Sequence, residues 1–245
     1  MKYHIMTLFP ELIDAATQFS IIKRAKEAEK IAINSYNIRD YSTNKHKKVD
    51  DYPFGGGAGM VMGPQPIVDC HRHIVSTLRG SKRTIYLSPK GKVFNQQMAH
   101  DLLQYDNLIL LCGHYEGIDQ RAIDLIVDEE ISIGDYVLTG GEIPAIVLVE
   151  ATARLVEDVL AKPESYQDES FSNNLLEYPQ YTRPRDFEGM QVPEVLLNGN
   201  HKEIDDWRFE QSIRATLQRR AELIDEQSFD KNQAKIYQKV LRENE

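Results

Sequence analysis

Two short apolar strands, each ending directly in a glycine, constrain the fold of this chain more than any other feature of its sequence. The first runs from Asn107 to Cys112 and continues into Gly113, and the second, Ile131–Ile133, continues into Gly134. Glycines at the ends of apolar strands are how α/β proteins build small-molecule pockets, because a residue without Cβ lets backbone N–H and C=O groups approach a ligand closely. We therefore expect a ligand site here, for a molecule with a nucleoside-like body.

The loops after these strands carry carboxylates rather than phosphate-binding signatures. Neither G-x-G-x-x-G nor G-x-x-x-x-G-K-[ST] occurs in them, and neither loop contains a lysine. Their acidic residues, Glu116, Asp119, Asp135 and Glu142, would repel a polyphosphate and attract a cation or sugar hydroxyls. The alternative for each glycine is that it only ends a strand or caps a helix.

Strand-like and helix-like segments alternate over the first two thirds of the chain. Patterns typical of strands occur at Tyr3–Leu8, Ile31–Ile38, Thr84–Leu87, Leu108–Cys112 and Glu130–Ile133. Helical periodicity begins at Pro10, with an apolar stripe from Leu12 to Ile22, and recurs at Pro66–Leu78, Phe94–Leu103 and Pro144–Leu160. This alternation predicts an α/β fold with a mainly parallel sheet covered on both faces. On its own it predicts an unknotted, doubly wound sheet, since knots are nearly absent from protein folds.

The chain changes character after residue 160. Pro163 and many polar residues predict a flexible linker over residues 161–175, and helical periodicity then returns at Ile204–Arg220 and Lys231–Arg242. We expect an α/β domain at 1–160, the linker at 161–175, and a small, mostly helical domain at 176–245.

Charge and composition restrict the function classes. A net charge of −9 argues against non-specific nucleic-acid binding through a global basic field. Local basic clusters remain, at Thr43–Lys48, at Arg183 and Arg185, and at Arg214, Arg219 and Arg220 in a C-terminal helix. Each is either a solvated surface or an RNA contact. Two cysteines without metal-ligand spacing, and no apolar run near the roughly 18 residues that span a bilayer, predict a cytoplasmic protein.

The segment from Arg39 to Met62 is longer than a compact domain usually tolerates without a purpose. It contains Gly55-Gly56-Gly57 and Gly59 close to Asp50 and Asp51. Either it is a disordered hinge, or it is a mobile loop that binds substrate.

Seven motifs occur together and in order along the chain. They are LFPE, VDDYPFGGGAGM, YLSPKG, CGHYEGID, SIGDYVLTGGE, SFSNNLLEYPQYTRP and VPEVLLNGNH. Together they closely resemble the bacterial tRNA (guanine-N1)-methyltransferases of the TrmD family, from Met1 to about Arg220. Any one of them alone would be weak evidence, but the ordered set is specific.

The resemblance implies a fold that periodicity does not predict. Members of this family have a deep trefoil knot of the SPOUT class and act as homodimers whose active site is shared between subunits. S-adenosylmethionine lies bent in the knotted loops, and Glu116 could face its positive sulfonium. The residues that match the cofactor-binding motifs are Tyr86, Leu87, Ser88, Pro89, Gly113, Tyr115, Glu116, Ile133, Gly134, Asp135, Tyr136, Val137, Leu138, Thr139, Gly140, Gly141 and Pro144.

The implied reaction is methyl transfer to N1 of the guanine just 3′ of the anticodon, position 37 of tRNA. N1 becomes nucleophilic as its proton leaves, so the reaction needs a general base, and a cation can stabilise the charge developing on O6. By resemblance, Arg154 is that cation. The family usually places an aspartate immediately before Ser-Phe; here that register holds Glu169, and Asp168 one position earlier is its competitor.

Other implied contacts are with the RNA. Asp50, Gly57 and Gly59 are candidate readers of the target guanine and its 5′ neighbour, and Arg183, Arg185, His201 and Arg208 are candidates for the anticodon stem. A divalent cation such as Mg²⁺ is left open as a further cofactor, but we assign no metal site because no ligand cluster has convincing spacing. Two other functions stay open: a catalytically inactive RNA-binding module of the same fold, and a knotted methyltransferase that acts on another RNA base.

Overall fold

A computed structural model of the chain describes residues 1–160, 169–171 and 173–244. The chain divides into two compact units, residues 1–161 and residues 162–245. Most of the predicted linker, including Asp168, therefore lies outside the described residues. Among the residues that are described, no helix is long and apolar enough to cross a bilayer.

A parallel sheet forms the centre of the first unit. The strands of this unit are β1 (Lys2–Thr7), β2 (Ala32–Asn37), β3 (Asp50–Asp51), β4 (Val61–Met62), β5 (Lys82–Val93), β6 (Asn107–Cys112) and β7 (Glu129–Ser132). Five of them form the sheet in the order β2-β1-β6-β5-β7, with every neighbouring pair parallel. This confirms the predicted mainly parallel α/β sheet. The short strands β3 and β4 form a separate antiparallel hairpin.

Helices cover both faces of the sheet. They are α1 (Pro10–Ala16), α2 (Ser20–Glu27), α3 (Pro64–Thr77), α4 (Gln96–Leu102), α5 (Gln120–Ile126) and α6 (Glu142–Ala153). Residues of α1, α2, α4 and α6 share one core with the sheet, and residues of α3 and α5 share the other. Every residue of β6 is buried, as expected for a central strand whose side chains enter the two cores alternately.

The predicted helix running from Pro10 past Phe19 is wrong, because the chain forms two helices there. The hydroxyl of Thr17 donates a hydrogen bond to the carbonyl oxygen of Ile13 at 2.9 Å, where α1 ends. A threonine that bonds back to the preceding turn competes with helix propagation. The apolar stripe is also interrupted, since Leu12 is 42% exposed and Phe19 is 72% exposed, while Ile13 and Ile22 are buried.

Strand β5 extends beyond the predicted Thr84–Leu87. Its pairing with β7 shifts register between Leu87 and Lys92, so the intervening residues leave the ladder as a bulge. This places the YLSPKG motif beside the ends of β6 and β7.

The second unit contains two longer helices, α7 (His201–Arg219) and α8 (Lys231–Asn244). They pack around a small core of Leu175, Ile213, Tyr237 and Val240. A hairpin of β8 (Asp186–Phe187) and β9 (Met190–Gln191) was not predicted, because strands of two residues show no alternation to detect.

Candidate active site

A cavity of about 280 Å³ lies at the carboxyl ends of β5, β6 and β7 in the first unit. Three segments form most of its wall: the bulge after Leu87, the loop that begins at Gly113, and the loop that ends at Gly141. The carboxyl edge of a parallel sheet is where α/β proteins place their ligands. The two glycine loops that dominate the sequence therefore meet at one concave site.

The cavity brings together all of the predicted cofactor-binding residues except Asp135. That residue is exposed and does not line the cavity. His114, within the CGHYEGID motif, also lines it. Sequence reasoning missed other residues in its wall, which are Lys90, Gly117, Ile118, Gln120, Ile123, Glu130, Ile131 and Ser132. Most are immediate neighbours of predicted residues, but Gln120 and Ile123 come from the first turns of α5. Only the tertiary fold brings them here.

The four loop carboxylates have different roles. Glu116 lines the cavity, but Glu142 is only 3% exposed and Asp119 bonds to Arg121, with 2.8 Å between Asp119 Oδ2 and Arg121 Nη2. Of the four, only Glu116 lines the cavity. Glu130, which pairs with Tyr86 in the β5–β7 ladder, is a further carboxylate in the wall.

Tyr86 is the most buried aromatic side chain of the cavity. Burial raises the pKa of its hydroxyl to about 12, and the nearby negative charge of Glu130 adds to the effect. The phenol is therefore neutral near pH 7 and can donate a hydrogen bond to a ligand.

Gly141 shows why the second loop needs glycine. A Cβ built there would lie 2.7 Å from the Cα of Cys112, because the two segments pass in direct backbone contact. Across this contact the N–H of Gly141 donates a hydrogen bond to the carbonyl oxygen of Gly113 at 3.0 Å. The two loops are thus in contact at the wall of the cavity.

Replacing Gly141 by alanine should destabilise the protein by about 1–3 kcal/mol, the usual cost of forcing extra atoms into a close-packed site. The free energy of unfolding, measured by urea denaturation, tests this. Gly63→Ala is the matched control, since its Cβ would lie no closer than 3.6 Å to a neighbour, the carbonyl oxygen of Val49. Equal free energies of unfolding for the two variants would contradict the close contact between Gly141 and Cys112.

The glycine-rich loop between β3 and β4 reaches the edge of this cavity. Gly59 has a φ of +82°, and a Cβ there would lie 2.5 Å from the carboxylate of Glu116. The N–H of Glu116 donates to the carbonyl oxygen of Met60 at 3.0 Å, and the N–H of Met62 donates to that of Gly117 at 2.9 Å. The predicted substrate residue Gly59 therefore contacts a predicted cofactor residue.

Two other predicted substrate residues lie in the same hairpin region. Asp50 pairs with Met62 in the β3–β4 ladder, and Gly57 has a φ of +127° with only Pro53 near its missing Cβ. Neither lines the cavity.

Arg154, the predicted cation, does not line the cavity of its own chain. Helix α6 begins beside the cavity, where Pro144 forms part of the wall, and Arg154 is the residue that caps its other end. At a rise of about 1.5 Å per residue, the backbone of Arg154 is about 15 Å along the helix axis from Pro144. The side chain is too short to cover this distance.

In the second unit, Glu169 and Arg208 line a separate cavity of about 400 Å³. The guanidinium of Arg208 lies 5.0 Å from the centre of the Tyr178 ring, and its Nη1 is 3.8 Å from Asp205. Arg183, Arg185 and His201 are exposed and lie outside this cavity. The structure thus brings together Glu169 and Arg208 among the residues predicted for catalysis and RNA binding.

Metal ligands do not cluster in the described part of the chain. No group of three or more His, Cys, Asp or Glu side chains within residues 1–160, 169–171 and 173–244 is arranged to hold a metal ion. No Mg²⁺ site is assigned.

The sequence matches known proteins along nearly its whole length. The family model described as "tRNA (Guanine-1)-methyltransferase TrmD" matches residues 1–226. The tRNA (guanine-N(1)-)-methyltransferase of Clostridioides difficile strain 630 is 62% identical over 224 residues, which cover 91% of this chain and 97% of that protein. The protein of the same name from Alkaliphilus metalliredigens is 57% identical, with 100% of both chains covered. That from Staphylococcus carnosus is 49% identical over 245 residues.

Proposed function

This chain belongs to the TrmD family of tRNA (guanine-1)-methyltransferases, and we propose that it transfers a methyl group from S-adenosylmethionine to N1 of the guanine at position 37 of tRNA. One observation carries the proposal: the residues that match the family's cofactor motifs, spread from Tyr86 to Pro144, converge on a single cavity. Since the substrate is tRNA, we propose that the protein works in the cytoplasm.

The residues of the cavity fit the proposed cofactor. Gly140 and Gly141 let the backbone approach a ligand, and Tyr86, Tyr115 and Tyr136 offer aromatic surface to a purine. Glu116 provides negative charge, which favours a cation over a polyphosphate. S-adenosylmethionine supplies, when bound, an electrophilic methyl group carried on a positively charged sulfur.

We also propose that the loops around this cavity form the deep trefoil knot of the SPOUT class. The convergence of three loops from the neighbouring strands β6, β5 and β7, with Gly141 bonded to Gly113, supports this topology.

The protein's own contribution to the chemistry is to hold the guanine and to move its proton. We assign proton removal from N1 to Glu169, with Asp168, outside the described residues, as the competing base. Arg154 stabilises the negative charge that develops on O6. Because the target base must leave its stack to enter a pocket, binding also has to offset the cost of unstacking.

The position of Arg154 supports a homodimer with shared active sites. Within one chain the arginine is about 15 Å of helix away from the cavity wall, so we propose that Arg154 of one protomer serves the cavity of the other. Exposed apolar side chains on the same helix suit an interface, since Ile143 is 50% exposed and Val147 is 40% exposed. Phe9 and Leu12, at the start of a helix that contacts α6, are also exposed.

The proposed RNA contacts fall into two groups. Gly59 lies against Glu116 at the cavity, which supports our proposal that the hairpin residues Asp50, Gly57 and Gly59 read the target guanine and its 5′ neighbour. Arg183, Arg185, His201 and Arg208 belong to the second unit, and we propose that they contact phosphates of the anticodon stem.

The relatives' names favour this function over the two alternatives. They are named tRNA (guanine-N(1)-)-methyltransferases, which supports catalysis rather than RNA binding alone, and guanine N1 rather than another base.

The test is transfer of a tritiated methyl group from S-adenosylmethionine to tRNA transcripts. We expect methylation of a transcript with guanine at position 37 and background labelling when adenine replaces it, because adenine has an amino group in place of the O6 whose developing charge Arg154 is proposed to stabilise. Nuclease digestion of the product should yield 1-methylguanosine. Failure of the wild-type protein to label the guanine transcript while it still binds the cofactor would leave the RNA-binding module as the better function.

A further inference from the structure

A buried carboxylate lies directly behind the cofactor cavity. Glu142 is 3% exposed, and its Oε1 accepts a hydrogen bond from Thr7 Oγ1 at 2.5 Å. Its Oε2 lies 2.7 Å from His114 Nε2. Thr7 ends β1, His114 follows β6 and Glu142 begins α6, so one carboxylate joins three elements far apart in sequence.

The hydrogen-bonded pair His114 and Glu142 links the two glycine loops of the cavity wall. His114 follows Gly113 and itself lines the cavity, and Glu142 follows Gly141. The backbone joins the same loops through the Gly141–Gly113 hydrogen bond and an isolated bridge between His114 and Gly140. A Cβ at Gly140 would meet the His114 ring and would lie 2.6 Å from Glu142 Oε2. The side-chain pair thus holds the loops together at the point where they come closest.

We infer that Thr7, His114 and Glu142 act as positioning residues that fix the distance between the two cofactor loops and thereby set the affinity for S-adenosylmethionine. This inference rests on the proposed function. Burying a carboxylate such as that of Glu142 costs free energy unless its oxygens accept hydrogen bonds. Stability alone does not require it, because packed apolar side chains can stabilise a core equally well. A fully satisfied polar network instead holds one geometry, which a cavity shaped for a particular ligand requires.

Isothermal titration calorimetry with S-adenosylmethionine tests the inference without turnover. Glu142→Gln and His114→Gln should each raise the Kd by about tenfold or more, since misplacing a binding group by about 1 Å is costly. Thr7→Val, which removes only the hydroxyl, should raise it severalfold, and Thr7→Ser should restore it. Glu27→Gln and His100→Gln, at exposed positions, are the matched controls.

Steady-state kinetics separates positioning from general stability. The KM for S-adenosylmethionine should rise with the Kd, while the KM for tRNA and the kcat at saturating cofactor stay within about twofold of wild type. A fall in melting temperature accompanied by a rise in both KM values would indicate a purely structural role and would overturn the inference. The Thr7→Val and Thr7→Ser comparison decides the matter if a Gln variant fails to fold.

The double variant His114→Gln/Glu142→Gln tests whether the residues act as a pair. Two amides can hydrogen-bond to each other, so the Kd of the double variant for S-adenosylmethionine should be no higher than that of the single variant that binds more weakly. Fully additive losses would overturn the pairing. Unchanged Kd values in variants of an active enzyme would refute only this inference, whereas an inactive wild-type protein would refute the proposed function.

Discussion

Replacing Glu169 by glutamine is expected to lower kcat by about 10²–10⁴-fold, the usual contribution of a positioned general base. The amide keeps the size of the side chain but cannot accept the N1 proton of guanine. Single-turnover methyl transfer to the guanine-37 transcript measures the loss. The Kd for S-adenosylmethionine should stay within about twofold of wild type, since Glu169 belongs to the second unit and does not line the cofactor cavity.

Asp168→Asn is the decisive control, because it removes the competing carboxylate one residue away. We expect this variant to keep nearly full activity. Glu169→Asp should lose less than Glu169→Gln, because it shortens the side chain but leaves a base in place. If Asp168→Asn were the inactive variant instead, the working carboxylate would be displaced by one residue from the register of the family motif.

Arg154→Ala should lower kcat by about 10²–10³-fold, the typical cost of removing one donor to a developing oxyanion. In the homodimer that we propose, mixed dimers then show which protomer the arginine serves. Arg154→Ala protein is mixed with Gly113→Leu protein, whose new side chain would fill the space beside Tyr86, since even a Cβ at Gly113 would lie 2.9 Å from the Tyr86 hydroxyl. Calorimetry must first show that Gly113→Leu alone binds no cofactor.

Shared active sites predict a recovery of activity in the mixture. Each mixed dimer would combine the intact cavity of one protomer with the intact Arg154 of the other, which makes one working site. After complete subunit exchange, half of the dimers are mixed, so about one quarter of wild-type activity should return. If Arg154 served the cavity of its own chain, no mixed dimer would have a working site and the mixture would stay inactive.

The sequence predicted the parts of the site that depend on local patterns. The run from Asn107 to Cys112 could be assigned to a strand because its last five residues are all apolar, and the structure confirms it. The loops after Cys112 and Ile133 were also recognisable, because glycine has local conformational and steric consequences. Family motifs then identified most of the residues that line the cavity, and the others became apparent only in the structure.

The roles of individual charged residues were harder to predict. Glu116 and Glu142 look alike in the sequence, yet one lines the cavity and the other is buried against His114 and Thr7. Which carboxylate faces a ligand depends on the rotation and packing of the element that carries it. Likewise, Arg154 is ten positions beyond Pro144, and only a continuous helix between them puts it far from the cavity.

By itself the sequence determined the five strands of the main sheet, the glycine loops, the parallel α/β class and, through its ordered motifs, the family. These features are set by neighbouring residues, which interact whatever the rest of the chain does. The tertiary structure alone decided that Thr7, His114 and Glu142 meet, that Gly59 lies against Glu116, and that Arg154 lies away from its own cavity. Those contacts join residues as much as 135 positions apart, and they exist only because the parallel sheet brings the carboxyl ends of its strands to one edge.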